Sequence, residues 1–339
     1  MSQEFIILDP SHSKVGLLED YDSIQWREDY NGAGYMEIHA APSDLNRSLL
    51  AIGNSVKLGE SVGDIQAVQF RTNEIAAYGK MALDRLSARV ILKTEVIGSV
   101  ESSLRGVFTR NERGSGLALG ASAGLSEAVD SQITGGTVLE GFTAILGKVG
   151  LGMRVDSDFT LRFYKGIDRR RGQPGYVGFL SEDTDTLTNI ILTGDIARYF
   201  NVAVVAGAGD GAARVWTNSW LASVEPTGTA RRELFVDARD LAKTYTIEGD
   251  PTIYTYTDEV YLEKLKERGR QKLAEALFDS RFTADVIDGN MTYGTDYSLG
   301  DILPIRIAKY GVSYSCRVVS ATHIHEKETK VAIKVEKII

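Results

Sequence analysis

The fold class is decided by residues 34–40, which read Gly34-Tyr35-Met36-Glu37-Ile38-His39-Ala40. The apolar side chains at positions 36, 38 and 40 alternate with the side chains at 35, 37 and 39. A period of two is typical of a strand with one buried face. Just upstream, Asn31-Gly32 predicts a tight hairpin in which these residues take positive φ angles. We therefore expect antiparallel strands on both sides of this turn.

Similar short segments recur at both ends of the chain. On the N-terminal side, strands are predicted in residues 4–8, 21–26, 55–60, 66–70 and 86–97. On the C-terminal side, they are predicted in residues 201–206, 282–286, 301–307, 312–320 and 330–336. Both series lead through a short strand and a turn to a longer strand. This coarse repeat predicts two related barrels in one chain.

The segment between the two series has a different pattern. Residues 111–124 are rich in Gly, Ala and Ser and predict a loop, whereas residues 141–150 place apolar side chains at helical spacing. Farther along, a helix is predicted over residues 258–277, with acidic residues in its first turn. The apolar stripe of this helix consists of Leu262, Leu265, Leu273 and Ala276.

The predicted fold class is therefore mainly β with α+β insertions, built on two barrel-like β domains. The first barrel-like domain covers residues 1–98, and a small α+β domain covers residues 99–178. The second barrel-like domain covers residues 179–339 and carries an inserted segment with the helix at about 219–282.

Composition excludes several classes of protein. The formal net charge of −8 over 339 residues argues against a protein that grips nucleic-acid phosphates. The clearest basic run, Asp168-Arg169-Arg170-Arg171, is interpreted as a solvated loop. The single cysteine, Cys316, is interpreted as a small apolar residue of a strand, which fits assembly in a reducing cytoplasm. Neither a signal peptide nor a membrane-spanning segment is predicted.

No catalytic, cofactor-binding or metal-binding residues are predicted. His323 and His325 would share one face of a strand, but a third ligand is not evident, so we interpret them as surface histidines without tightly bound metal. The glycine-rich residues 207–211 lead toward another strand rather than a helix, which favours a hairpin over a phosphate-binding loop. No Gly-x-Ser-x-Gly motif occurs, and Asp183 and Asp185 favour a loop or a helix start. The chain is predicted not to be an enzyme and to need no cofactor.

Several motifs, taken in order, resemble the tail-hub family of long-tailed phages, also called tail-associated or Tal-type minor tail proteins. The N-terminal motifs are Phe5-Ile6-Ile7-Leu8-Asp9, Asp22-Ser23-Ile24-Gln25-Trp26-Arg27 and Gly34-Tyr35-Met36-Glu37-Ile38. The later motifs are residues 204–211, Arg231-Arg232-Glu233-Leu234-Phe235-Val236-Asp237-Ala238-Arg239-Asp240-Leu241, and residues 293–302. The resemblance covers nearly the whole chain.

This resemblance implies a fold, an assembly and a set of partners. Hub proteins of this kind, which are related to contractile-tail baseplate hubs, form trimers whose six barrels make a ring that matches a hexameric tail tube. We expect no fused hydrolase after the last strand, so the expected partners are the tail tube, distal tail proteins and a tail fibre, spike or separate hydrolase chain. DNA would pass nearby without specific binding, and no membrane insertion is expected. The expected location is the virion tail tip, after assembly in the bacterial host cytoplasm.

A charged segment gives the one candidate interaction site. It consists of Arg232, Glu233, Asp237, Arg239 and Asp240. Opposite charges interleaved with apolar residues predict a domain or subunit interface, and a solvated charged loop is the alternative.

Two other functions remain open from the sequence. A cell-wall or carbohydrate-binding adhesion module would use exposed aromatic side chains, for which Trp216, Trp220 and Tyr293 are candidates; packing in a core or an interface is the alternative for all three. A small hydrolase with a hidden Ser-His-Asp triad is the third function considered. Trimers or rings in solution would favour the hub over both.

Overall fold

The protein is mainly β, with several sheets and a smaller share of helix. The computed structural model describes residues 4–184, 186–195, 199–247, 250–275, 279–286, 291–327 and 329–338. Within them, the helices are α1 Asp44–Leu49, α2 Val100–Asn111, α3 Val138–Val149 and α4 Asp258–Glu275. None of these helices is both long and apolar enough to cross a lipid bilayer.

The strands are numbered β1 to β23 in chain order. The first eight are β1 Phe5–Leu8, β2 Lys14–Leu18, β3 Ser23–Asp29, β4 Tyr35–Ala40, β5 Ser55–Leu58, β6 Ser61–Arg71, β7 Glu74–Met81 and β8 Glu95–Ser99. The next eight are β9 Ala118–Leu119, β10 Ala128–Ile133, β11 Gly152–Val155, β12 Thr160–Tyr164, β13 Leu180–Ser181, β14 Leu187–Asp195, β15 Val202–Ala206 and β16 Trp216–Trp220. The last seven are β17 Glu233–Asp237, β18 Thr244–Ile247, β19 Asp250–Thr255, β20 Asp279–Val286, β21 Ile302–Ile307, β22 Val312–His325 and β23 Thr329–Lys337.

One eleven-stranded sheet takes strands from both ends of the chain. Its order is β13-β21-β22-β3-β4-β7-β6-β5-β1-β2, and β23 also pairs with β22. β22 runs antiparallel to β3, with His323 opposite Trp26. Strands predicted for both barrels, such as β3 and β22, thus hydrogen-bond into a single sheet, and no closed barrel is found in the described ranges. Alternation fixes which face of a strand is buried, but it does not fix which strand lies beside it.

The large sheet curls around its own buried face. Met36, Ile38 and Ala40 on β4 are buried, which confirms the alternation that the sequence predicted. Trp26 on β3 is fully buried, and its indole Nε1 donates a hydrogen bond to Ser61 Oγ on β6 at 3.2 Å. Two strands lie between β3 and β6, so this bond crosses the interior of the curl. The side chains of one face therefore bury one another.

A small α+β region follows β7, as predicted for the middle of the chain. Helix α3 begins with a capping box between Thr137 and Glu140 and ends at Gly150, which has a left-handed φ of 68°. The predicted helix over residues 141–150 is thus confirmed. Phe142 on α3 packs near Phe163 on β12, with ring centroids 5.7 Å apart. Their shared core also includes buried residues of α2.

Two local predictions were wrong. The strand expected over residues 86–97 is mostly absent: Ala82–Ala88 forms a 3-10 helix, and β8 begins only at Glu95. Leu83 and Leu86, which are both buried, lie three positions apart, and this is the spacing of a 3-10 turn. The turn before β4 exists, but Asn31 and Gly32 do not take positive φ angles. A bridge from Asp29 to Gly32 closes the turn instead.

By its contacts, the chain divides into two compact units. The first unit comprises residues 1–190 and 283–339, and the second comprises residues 191–282. The predicted boundaries at residues 98 and 178 stay a prediction. The large sheet lies in the first unit, and β14 and β20 form a separate two-stranded sheet.

The second unit contains a three-stranded sheet, helix α4 and the two-stranded sheet of β18 and β19. β15 is the middle strand, antiparallel to β16 and parallel to β17. Tyr261, Leu265 and Leu273 of α4 are buried in the core beside the sheet. The predicted helix is confirmed, although Tyr261 is buried where Leu262 was expected, and Ala276 lies outside the described residues.

Gly269 allows α4 to approach the sheet closely. A Cβ atom at this position would lie 2.0 Å from Ser219 Oγ and 2.7 Å from a methyl carbon of Val205. Both distances are shorter than a van der Waals contact, so only glycine fits without movement of the helix.

Candidate interaction face

The three-stranded sheet of the second unit has one face covered by a helix and one face on which the outer strands are exposed or half-buried, although Val202 and Ala206 of the middle strand are buried there. Helix α4 covers the face that carries Ala203, Val205 and Ser219. Because side chains alternate along a strand, their neighbours lie on the opposite side. We call that side the open face; its members on the outer strands are Trp216, Asn218, Trp220, Glu233, Phe235 and Asp237.

Two aromatic side chains dominate the open face. Trp216 on β16 is 51% exposed and Phe235 on β17 is 57% exposed, and their ring centroids are 6.1 Å apart. The guanidinium of Arg214 lies 5.4 Å from the Trp216 ring centroid and 6.0 Å from that of Phe235. Exposed aromatic side chains grouped in this way are typical of interaction sites on soluble proteins.

Arg214 is held firmly beneath these rings. Its Nε donates to the carbonyl oxygen of Gly207 at 3.2 Å, and a terminal nitrogen donates to that of Ala206 at 3.0 Å. The same nitrogen forms a 2.5 Å ion pair with Asp237 Oδ1. Only 12% of the Arg214 side chain is exposed. A fixed cation between two aromatic rings makes this part of the face rigid.

Asp237 forms ion pairs with two arginines at one end of the open face. Arg239 Nε donates to Oδ1 at 3.2 Å and to Oδ2 at 3.1 Å, and a terminal nitrogen of Arg239 donates to Oδ2 at 2.9 Å. The hydrogen bonds from Arg239, together with the positive charge of Arg214, lower the pKa of Asp237 to about 2. Its carboxylate therefore stays ionised over the whole physiological pH range.

The five predicted interface residues do not form one cluster. Asp237 pairs with Arg239 as described, whereas Asp240 pairs with Arg268 on α4 at 3.0 Å. Glu233 accepts a 2.6 Å hydrogen bond from Arg231, and Arg232 Nε donates to the carbonyl oxygen of Tyr199 at 2.8 Å. Glu233 and Asp237 lie on the open face. That these residues form an interface stays a prediction.

Sequence reasoning missed Arg214 and Phe235 as parts of this site. The signal lay in the spacing: Arg214 and Trp216 are two positions apart, and Phe235 is flanked two positions away on each side by acidic residues of the same face. A period of two therefore predicts that all of these side chains lie on one face. It does not predict which strand is the neighbour.

The outer edge of β17 carries unpaired backbone groups. Val202 N donates to Arg232 O at 3.1 Å, and Ala238 N donates to Ala206 O at 2.8 Å. Even-numbered residues of this segment therefore bond toward β15, so the backbone groups of Glu233, Phe235 and Asp237 point outward. No strand among the described residues pairs with that edge.

The outer edge of β16 is equally open. Gly207 N donates to Val215 O at 2.8 Å, which fixes the odd-numbered residues of this segment as the ones that bond toward β15. The backbone groups of Trp216, Asn218 and Trp220 consequently point away from the sheet. The hairpin also confirms that the glycine-rich residues 207–211 turn the chain between two strands.

The two histidines of the C-terminal strand are not surface residues, and that interpretation was wrong. His325 is 3% exposed and its ring meets Phe5 edge to face, 5.1 Å between centroids. The side chain of His323 is 18% exposed, and its Nε2 lies 3.8 Å from Glu28 Oε2. Burial lowers the pKa of both imidazoles. They face the interior because they lie opposite Trp26 and Ile24 on β3.

Other sequence candidates have structural roles. Arg169 is not part of a solvated loop as predicted, because its Nε binds the buried carboxylate of Asp301 at 2.8 Å. Cys316 is buried, as expected for a small apolar residue, and burial raises the pKa of its thiol to about 12. Trp220 and Tyr293 are half-buried, and Asp185 lies outside the described residues. In the described part of the chain, no three His, Cys, Asp or Glu side chains are grouped as metal ligands.

Solved structures of phage tail proteins have this fold. The tail protein from Neisseria meningitidis MC58 matches with a TM-score of 0.62 at 15% identity, over 99% of this chain and 97% of that one. The 43 kDa tail protein of prophage MuSo2 from Shewanella oneidensis matches with a TM-score of 0.61 at 10% identity, over 98% and 97% of the two chains. Prophage tail protein gp18 from Listeria monocytogenes EGD-e matches with a TM-score of 0.56 at 14% identity, over 98% and 94%. The fold is therefore that of a phage tail protein.

The family follows from the sequence match. The model of the Siphovirus ReqiPepy6 Gp37-like protein family matches residues 106–336, and the chain belongs to this family. The predicted resemblance to phage tail proteins is thus confirmed. A comparison with curated proteins finds no match.

Proposed function

We propose that this chain is a structural tail protein that acts as a tail-tip hub. In this role it forms a ring that joins the tail tube to the distal proteins of the tip. Membership of the siphovirus Gp37-like family and the tail-protein fold support the structural role. We propose in addition that the chain acts as a hub, that it forms a homotrimer and that it is located at the virion tail tip.

The observation that carries the proposal is the open face of the second unit. Among the described residues, neither outer edge of this small sheet has a strand partner, and Trp216 and Phe235 are exposed on it; such edges and patches promote association. Assembly into a ring would cover them. An assembled tail component therefore fits this face better than a free enzyme does.

We propose that the curled sheet of the first unit forms part of the ring. Three copies, each with two barrel-like regions, would present six similar elements to a six-fold tube. We propose that the curl around Trp26 forms one such region and that strands of the C-terminal half contribute to the other. A net charge of −8 would keep passing DNA from binding tightly, because like charges repel. The proposed partners are the tail tube, distal tail proteins and a fibre, spike or separate hydrolase chain.

A second candidate function is supported by Trp216. The half-exposed indole of Trp216 lies next to Arg214, which pairs with Asp237, and sugars bind where an aromatic plate adjoins polar groups. In that case the chain would act as a cell-wall or carbohydrate-binding module of the tail tip. Retention on purified host cell walls, lost in Trp216→Ala and kept in Phe70→Ala, would favour this function. Phe70 is the control because its side chain is 62% exposed on a different sheet.

Imaging of assembled particles tests the hub proposal. Cryo-electron microscopy of tails in which this chain carries a small tag should show three copies around the axis at the tip. One copy or six copies there would contradict the trimer. Absence of the chain from the tail would overturn the structural function as a whole.

A further inference from the structure

We propose that the sheet of the second unit continues from one copy of this chain into the next. The outer edge of β17 in one copy pairs with the outer edge of β16 in its neighbour. The proposal rests on the hub function only for the number of copies that close the ring. The strand pairing itself is argued from the second unit.

The first argument is the backbone. Glu233, Phe235 and Asp237 present outward N–H and C=O groups on one edge, and Trp216, Asn218 and Trp220 present theirs on the other. Both edges belong to the same three-stranded sheet, and neither has a strand partner within the described residues. One copy thus offers two different surfaces of equal length, which is what a head-to-tail contact needs.

The second argument is complementarity between the two edges. The β17 edge carries the carboxylates of Glu233 and Asp237, which only accept hydrogen bonds. The β16 edge carries the indole N–H groups of Trp216 and Trp220, which only donate. Acceptors on one edge and donors on the other favour contact between unlike edges. Two β17 edges would instead place acceptors opposite acceptors, and two β16 edges would place donors opposite donors.

The third argument is direction. β17 is parallel to β15, whereas β16 is antiparallel to β15. Rotation about an axis roughly along the strands leaves the direction of each strand unchanged from copy to copy. β17 of one copy and β16 of the next therefore run antiparallel, and antiparallel pairing has favourable hydrogen-bond geometry.

The register follows from the centre of each strand. Phe235 is the middle residue of β17 and Asn218 is the middle residue of β16, so we place them opposite each other. Asp237 then faces Trp216 of the next copy, and Glu233 faces its Trp220. Each pair joins a carboxylate to an indole N–H, and Phe235 lies between the two tryptophans on the same face.

Disulfide trapping tests this pairing. The double variant Asn218→Cys/Phe235→Cys, made with Cys316→Ser, places one thiol on each edge. Asn218 and Phe235 both lie beside Val204, on opposite sides of β15. They are therefore two strand spacings apart, about 9.6 Å. A disulfide needs Cα atoms within roughly 7 Å, so one cannot form inside a single copy.

Oxidised tails that carry this double variant should give covalent trimers on a non-reducing gel. The control pair is Asn218→Cys/Glu263→Cys, because Glu263 lies exposed on α4 away from both edges. We expect about tenfold more cross-linked chain from the first pair than from the control, since paired edges hold the thiols at high local concentration. Trp220→Cys/Glu233→Cys probes the same register and serves if the first variant does not assemble.

The outcomes separate this pairing from the proposed function. Equal cross-linking in the first pair and the control would overturn the pairing, as would dimers formed by Phe235→Cys alone. If three copies surround the tail axis but neither cysteine pair cross-links, the hub remains and the strand pairing is wrong. If the chain is absent from the tail while purified protein still cross-links specifically, the edges pair and the hub function is wrong.

Discussion

Trp26 and Trp216 show how differently the two sheets of this protein use an aromatic side chain. Both residues lie on strands with alternating side chains. Trp26 is fully buried inside the curl of the eleven-stranded sheet, whereas Trp216 is 51% exposed on the three-stranded sheet. The large sheet is long enough to fold its face onto itself. The small sheet has one helix to cover two faces, so one face stays open.

This difference shows that a strand pattern alone does not tell whether an apolar face stabilises the fold or remains available for a partner. Burial of an aromatic ring inside a unit stabilises that unit, because its apolar area leaves water on folding. An exposed ring gains that stabilisation only when a partner covers it. The two sheets should therefore respond oppositely to loss of the ring.

The largest expected effect is at Trp26. Trp26→Ala should lower the free energy of unfolding of the first unit by about 3–5 kcal/mol, because it leaves a large cavity in the core. Trp216→Ala should change that of the second unit by less than about 0.5 kcal/mol. Since two units need not unfold together, hydrogen exchange measured separately in β4 and in β15 is the suitable measurement. Equal losses in the two units would remove the distinction between the sheets.

A smaller effect is expected where α4 meets the covered face of the small sheet. Gly269→Ala would bring a Cβ atom to 2.0 Å from Ser219 Oγ, so the helix must shift. We expect a net loss of about 1–2 kcal/mol, since overpacking outweighs the better helix propensity of alanine. Thermal unfolding, monitored by hydrogen exchange in α4, measures this loss of stability.

Ser219→Ala is the control variant for Gly269→Ala. Ser219 Oγ is buried and makes no hydrogen bond to a described residue, so its removal alone should be neutral or slightly stabilising. Combined with Gly269→Ala, it should restore part of the lost stability. A Gly269→Ala variant as stable as the parent would show that α4 does not press on the sheet.

The smallest expected effect concerns pH at the open face. The folded-state pKa of Asp237 is about 2, below its ordinary value of 3.8. A depressed pKa means that the carboxylate stabilises the fold above about pH 4, and this contribution is lost as the pH falls from about 4 to about 2. NMR titration of the carboxyl carbon should give a midpoint near 2. In Arg239→Ala the midpoint should move up toward the ordinary value; an unchanged midpoint would mean that Arg239 does not hold the charge.

Local elements were largely predictable from the sequence. The alternation in residues 34–40 gave β4, and helical spacing gave α3 and α4, since these patterns depend on neighbours a few positions away. The strand prediction for residues 86–97 failed because Leu86 is buried in a 3-10 helix that begins at Ala82, before the predicted segment. Short apolar segments do not distinguish the two without their packing partners.

Strand neighbours could not be predicted in the same way. Nothing in Val312–His325 indicates that it pairs with Ser23–Asp29, because register depends on faces that meet only in the folded chain. The same reason hid the group of Arg214, Trp216 and Phe235, because Trp216 and Phe235 lie on two strands separated by a third. The charged residues of β17 were visible in the sequence, but their separate partners were not.

The pairing of β22 with β3 has a consequence for synthesis. The ribosome completes β3 near the start of translation and β22 near its end, so one edge of β3 stays unpaired while most of the chain is made. Contacts this distant along the chain slow folding, and an exposed strand edge in a nascent chain invites aggregation. We infer that the large sheet reaches its final form only after translation is nearly finished, and that a chaperone which shields β3 during elongation would raise the yield of soluble protein.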